Sequence, residues 1–173
     1  MRATLLALVL ALPAVAEGPL TPTPESSRSV QRYLASLRLG DTLKEIKTVY
    51  PPKRKWSSYK EPGGRLTRIN VERSTSKWFP PKVSQLSIGL RFGRLAHVQV
   101  VYTVESTRAK PLSELVADLS LMYGEPRRWG ETYFWFDSAT VIAASYQPLK
   151  TTKGVELRTS LELMEKGVFE PFR

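Results

Sequence analysis

Leu39–Trp56, LGDTLKEIKTVYPPKRKW, is answered 73 residues later by Leu112–Trp129, LSELVADLSLMYGEPRRW. Four positions are identical without a gap: Leu39/Leu112, Tyr50/Tyr123, Arg54/Arg127 and Trp56/Trp129. Asp41/Glu114, Leu43/Val116, Glu45/Asp118, Ile46/Leu119, Val49/Met122 and Lys55/Arg128 keep their chemistry. Leu39, Leu43, Ile46, Val49 and Tyr50 recur at the three- and four-residue intervals of a helix with one apolar face. Each copy then ends in an aromatic, a proline, two or three cations and a tryptophan. That ending reads as the corner where a helix hands over to a sheet, its cations placed where a helix C-terminus favours positive charge. An anion site built from the two corners is the functional alternative.

The offset continues where the period changes from 3.6 to 2. Ile69 and Val71 map onto Ile142 and Ala144, and Ile88 and Leu90 onto Leu161 and Leu163, each pair separated by one residue that is polar (Asn70, Glu162) or small (Gly89, Ala143). Such alternation predicts half-buried antiparallel strands. The expected fold is α+β: two tandem helix-plus-antiparallel-meander repeats sharing one antiparallel sheet, with the helices packed on one face. The first repeat spans residues 25–108 and the second residues 109–173.

Within this frame, ESSRSVQRYLASLRL (25–39) is expected as a first helix closed by Gly40. Asp41 or Thr42 caps a second helix that stops before Pro51. Strands are expected at 65–73, 83–92 and 95–105, with Gly93-Arg94 as a tight hairpin. A helix from Pro111 to Tyr123 follows, then strands at 130–136, 139–147 and 155–164. VFEPFR is read as a truncated final strand.

The chain opens on MRATLLALVLALPAVA: one cation, an apolar run too short to span a bilayer, and a small-residue ending. This predicts a signal peptide cleaved after Ala16, an extended leader at 17–24, and a periplasmic or secreted protein with no transmembrane segment in the mature chain. There is no cysteine, so disulfides, thiolate metal sites and a Cys nucleophile are excluded. With 26 Lys and Arg against 16 Asp and Glu, the formal charge is +10. That balance points to an acidic protein or anionic envelope component as partner, or to peripheral contact with anionic lipid, with nucleic acid the weaker candidate.

The helix pair, GDTLKEIKTVYPP and a following meander resemble the SmpA/OmlA (BamE) family of outer-membrane assembly lipoproteins. Two such units in tandem look like the β-lactamase inhibitor protein (BLIP) architecture. That resemblance implies one continuous sheet with helices on one face and a concave binding face on the other. The anchoring cysteine of the lipoproteins and the cysteines of the inhibitor have no counterpart here. No inhibitory contact is carried over.

No catalytic constellation emerges, and no metal or cofactor is implied. Ser74-Thr75-Ser76-Lys77 fits a Ser-x-x-Lys spacing but lies in a loop without its companion motifs, and Pro62-Gly63-Gly64-Arg65 is too short for a phosphate loop. The lone His97 falls on the strand side opposite Ala96, Val98 and Val100, and is expected to be solvent-exposed. The sequence points instead to a non-catalytic binding face on the side of the sheet away from the helices, with Arg68, Arg91, His97, Val101 and Arg158 on it. In Tyr133-Phe134-Trp135-Phe136, alternation sends two aromatics outward. The length of the Asp137-Ser138 turn decides which two: a two-residue loop would send out Phe134 and Phe136, the candidate partner-binding pair, unless a segment such as Trp78-Phe79 folds over them. A cell-wall hydrolase is the remaining alternative.

Overall fold

The computed structural model describes residues 28–63, 65–152 and 154–169. The expected signal peptide (1–16) and extended leader (17–24) lie outside these residues. The described chain is α+β, an eight-stranded antiparallel sheet with three short helices. Chain order is β1 (Tyr33–Leu34), β2 (Leu37–Arg38), α1 (Leu43–Val49), β3 (Ser57–Lys60), β4 (Thr67–Val71), β5 (Val83–Arg91) and β6 (Arg94–Tyr102). There follow α2 (Val104–Ala109), α3 (Leu112–Tyr123), β7 (Arg127–Trp129), β8 (Thr132–Phe136), β9 (Thr140–Thr151) and β10 (Gly154–Glu165). The large sheet runs β3-β4-β5-β6-β10-β9-β8-β7, so β6 and β10 meet at its centre.

The larger of two core clusters lies on one side of this sheet. Ile69, Val71, Ile88, Leu90, Val98, Val100, Ile142, Ala144, Leu161 and Leu163 point there and pack with Ile46 and Tyr50 of the α1 segment and Leu112, Leu119 and Tyr123 of α3. Thr42, not Asp41, caps α1: its hydroxyl accepts from Glu45 N, and the Glu45 carboxylate accepts from Thr42 N at 2.7 Å, a reciprocal capping box. Pro111 precedes α3 as its N-cap, and the Leu112 N–H it leaves uncapped donates to the Tyr146 hydroxyl.

Three expectations are corrected. Residues 28–39 hold no helix: β1 and β2 form a small hairpin whose turn residues, Ala35 and Ser36, both have positive φ, 52° and 62°. Burial decides this. Val30, Leu37 and Leu39 enter the core, and the Tyr50 hydroxyl donates to Ala35 O at 2.6 Å, holding the turn against α1. A helix would remove that alternation and break that bond. Asp137 ties the segment down by accepting from Val30 N at 2.8 Å and from Ala139 N and Thr140 N. Burial alone would raise its pKa, but these N–H donors outweigh it and hold the carboxyl below its ordinary range.

The β5–β6 turn is Phe92-Gly93, not Gly93-Arg94, since Arg91 pairs with Arg94 and both turn residues have positive φ. Of VFEPFR (168–173), Val168 closes a 3₁₀ turn at Lys166–Val168 and Phe169 follows it, so neither is in a strand, and 170–173 lie outside the described residues. No helix among the described residues is long and apolar enough to cross a membrane.

Candidate functional site

Pairing across the sheet fixes its far face, away from the helices. One row runs Arg68, Gly89, His97, Met164, Val141, Phe136, and the next Asn70, Ser87, Gln99, Glu162, Ala143, Phe134, Arg127. The pairing puts Phe134 and Phe136 on this face, although residues 137–139 and not a two-residue Asp137-Ser138 turn separate β8 from β9, and Trp135 turns into the helix-side core. Neither phenylalanine is open to a partner, however. They are 5% and 8% exposed, packed with Val141, Ala143 and Met164 under Phe169, whose ring lies 5.0 Å from that of Phe134. The covering piece is the C-terminal turn; the loop at Trp78-Phe79 goes to the other side, with Phe79 in the helix-side core and Trp78 against Tyr50.

Removing that cover is a direct check. Phe169→Ala should cost about 2 kcal/mol, roughly half the value for a fully buried phenylalanine because Phe169 is only half-buried. It should also raise binding of an apolar dye, which unchanged fluorescence would contradict.

His97 is also corrected. It lies on the far face but is 4% exposed. Arg68 holds it on one side, and its Nε2 lies 2.9 Å from Glu162 Oε2 on the other. A guanidinium only donates, so Nδ1 must accept and the ring proton sits on Nε2, directed at Glu162. Glu61 accepts from Arg68 at the outer end, and Gln99 donates to the second Glu162 oxygen at 3.0 Å. Gly89 makes room: a Cβ there would lie 3.1 Å from His97 Cβ and 3.0 Å from Leu66. Carboxylate, guanidinium, imidazole, carboxylate and amide thus form one satisfied chain, which fixes side chains and offers no open ligand position.

The other expected residues separate. Val101 is buried in the wall of a polar groove of 340 Å³ whose lining includes Asn70, Gln85, Ser87 and Gln99; this half of the far face stays open. Arg158 pairs with Glu156 at 2.8 Å. Arg91 lies over the ring of Phe92, which is 93% exposed at the hairpin tip. The seven residues therefore form no single patch.

The two corners quoted at the outset differ more than their sequences do. At the second, Arg127 stacks on Phe136 at 4.9 Å, and Arg128 donates to Gly130 O at 2.9 Å and pairs with Glu131. At the first, Lys47, Lys53, Arg54 and Lys55 surround a cavity of 400 Å³ floored by Leu43, Pro52, Trp56 and Ile69. None of these four cations has an ion-pair partner among the described residues. The buried indole N–H of Trp56 also lacks a hydrogen-bond partner. In sequence the two corners read alike, as dipole complements or as a paired anion site; they diverge because Arg127 and Arg128 fall within β7, where Phe136 and Gly130 engage them, whereas Lys53, Arg54 and Lys55 precede β3.

No protein-family model matches this sequence, and no curated protein or solved structure matches it either.

Proposed function

We propose that the chain is an exported, non-catalytic binding module that docks an acidic protein at its first helix–strand corner. The carrying observation is the cavity at that corner, with four cations on its rim and an apolar floor. Like charges brought together without counter-charges repel; a carboxylate-bearing partner relieves that repulsion, and its apolar atoms cover Leu43, Trp56 and Ile69. Export rests on the leader sequence alone. The finer architecture, two copies of one helix-plus-strands unit, is part of the same reading. It is supported by β3-β4-β5 and β10-β9-β8 occupying opposite sides of β6, and by the burial of Ile69/Ile142, Val71/Ala144, Ile88/Leu161 and Leu90/Leu163 in one core.

A second reading, adsorption to anionic lipid, is favoured by Phe92, an exposed aromatic at a hairpin tip between Arg91 and Arg94.

Charge reversal separates them. Lys53→Glu, Arg54→Glu and Lys55→Glu together should reduce photo-crosslinked capture of an acidic partner from envelope extract at least tenfold. The equally charged Lys60→Glu, Lys77→Glu and Arg108→Glu variant should retain it. Equal losses in the two variants would mean that net charge alone acts, and no loss in the first would remove the corner. Flotation of the wild type with anionic phospholipid vesicles that collapses at high salt, without protein capture, would select the lipid reading.

A further inference from the structure

A second cavity, of 410 Å³, lies beside the sheet's centre, where β6 ends and β10 runs on. After Tyr102 the chain leaves the sheet, Thr103 caps α2, and the Thr107 hydroxyl accepts from Thr159 N at 3.0 Å, replacing the strand partner that β6 no longer supplies. The space left between α2, α3 and β10 is lined by Tyr102, Ala109, Leu115 and Thr159, with Lys82, Glu105, Ser106 and Lys110 around them.

The lining is mostly apolar, with one anomaly. Thr159 is 1% exposed and its hydroxyl has no hydrogen-bond partner. An unpaired buried hydroxyl is unfavourable to the fold, and native proteins hold few of them. No bond from the Tyr102 hydroxyl to another described residue fills the need, and burial raises its pKa, so it remains a phenol able to donate. The charges offset one another: Lys110 is tied to Asp118, and Lys82 and Glu105 are opposite in sign. A mostly apolar space of this size with a few convergent polar groups has the composition of a small-molecule site.

We propose that this cavity binds a compact, neutral, largely apolar molecule carrying one hydroxyl or carbonyl oxygen, which pairs with the Thr159 and Tyr102 hydroxyls. A neutral ligand follows from the balanced rim. The single oxygen follows from the unpartnered hydroxyl. This site is separate from the acidic-partner corner, and either can fail without the other.

The probes are p-cresol and toluene, titrated into the ¹⁵N-labelled full chain. The expected result is saturable p-cresol shifts confined to residues 102–115 and 157–161, with toluene at least tenfold weaker. Thr159→Val should abolish that preference and raise Tm by about 2–4 °C, since it deletes an unpaired polar group while keeping the side-chain shape. Ala109→Leu, at an exposed helical position, should occlude the cavity and prevent binding with the fold unchanged. The proposal is overturned if p-cresol shifts are absent or lie elsewhere, if toluene binds equally well, or if Thr159→Val keeps the preference. A lowered Tm in Thr159→Val would also overturn it, because the hydroxyl would then be satisfied within the fold itself.

Discussion

Trp135→Ala should lower unfolding stability by about 3–5 kcal/mol, whereas Trp129→Ala should fall within about 0.5 kcal/mol of wild type. The two side chains belong to neighbouring strands, yet their surroundings are opposite. Trp135 is 2% exposed in the main core, and its indole N–H donates to Gly124 O at 2.9 Å. That carbonyl belongs to the residue closing α3, whose φ of 88° turns the chain out of the helix. One side chain therefore fills core volume and fastens a helix end to the sheet. Trp129 is 65% exposed on an edge strand. Truncating Trp135 leaves a cavity and an orphaned carbonyl; truncating Trp129 leaves solvent where solvent already was. Urea denaturation of both variants at neutral pH measures the difference. Trp135→Phe, which keeps ring packing and loses only the hydrogen bond, should cost about 1 kcal/mol beyond the volume lost. A Trp135→Ala cost below about 1 kcal/mol would mean that β8 is not seated in the core as described.

That contrast shows what local pattern can and cannot reveal. Alternation placed Ile69, Val71, Ile88, Leu90, Val98, Val100, Leu161 and Leu163 on one face because the two-residue period is a property of each strand alone. It also sent Phe134 and Phe136 to the other face. Whether they were bare depended on Phe169, a residue from another part of the chain in a turn too short to have a period. The burial of His97 depended likewise on Arg68 and Glu162, brought in by β4–β5–β6 and β6–β10 pairing from 29 and 65 residues away. The β1–β2 hairpin was hidden because Ala35-Ser36 is not a typical pair for a turn with both φ positive; the Tyr50 bond and core burial impose it. The six residues of α2 make less than two turns, too few for a stripe to be seen. The cationic corner was visible as composition. Its uncommitted state was not, because that depends on which neighbours fail to arrive.

Tyr50 should dominate the alkaline limb of stability. It is fully buried, its ring lies 5.3 Å from that of Trp78, and its hydroxyl donates to Ala35 O. Burial pushes its pKa from 10.0 to about 12, because the phenolate would have to lose its hydration. A raised folded-state pKa means that the fold's preference for the neutral phenol is complete below pH 10 and is lost as pH rises through 12. At ~1.4 kcal/mol per unit, that preference is on the order of 2–3 kcal/mol. Tyr102 and Tyr123 are raised in the same direction by burial, so the limb steepens but does not belong to Tyr50 alone. Tyr50→Phe should therefore be less stable than wild type at neutral pH by about 1 kcal/mol, for the lost bond to Ala35. It should close that gap, then overtake, as pH climbs past 10, since it has no proton to lose. Tyr50→Ala should lose about 3–5 kcal/mol at neutral pH, because the ring joins α1 to the hairpin turn, and this deficit should narrow above pH 10 as wild type loses its own preference for the neutral phenol. Urea midpoints of the three proteins at neutral and alkaline pH compare like with like, as lysine titration is common to all. Parallel loss in wild type and Tyr50→Phe would place the hydroxyl in contact with solvent, and the hairpin would then need another anchor.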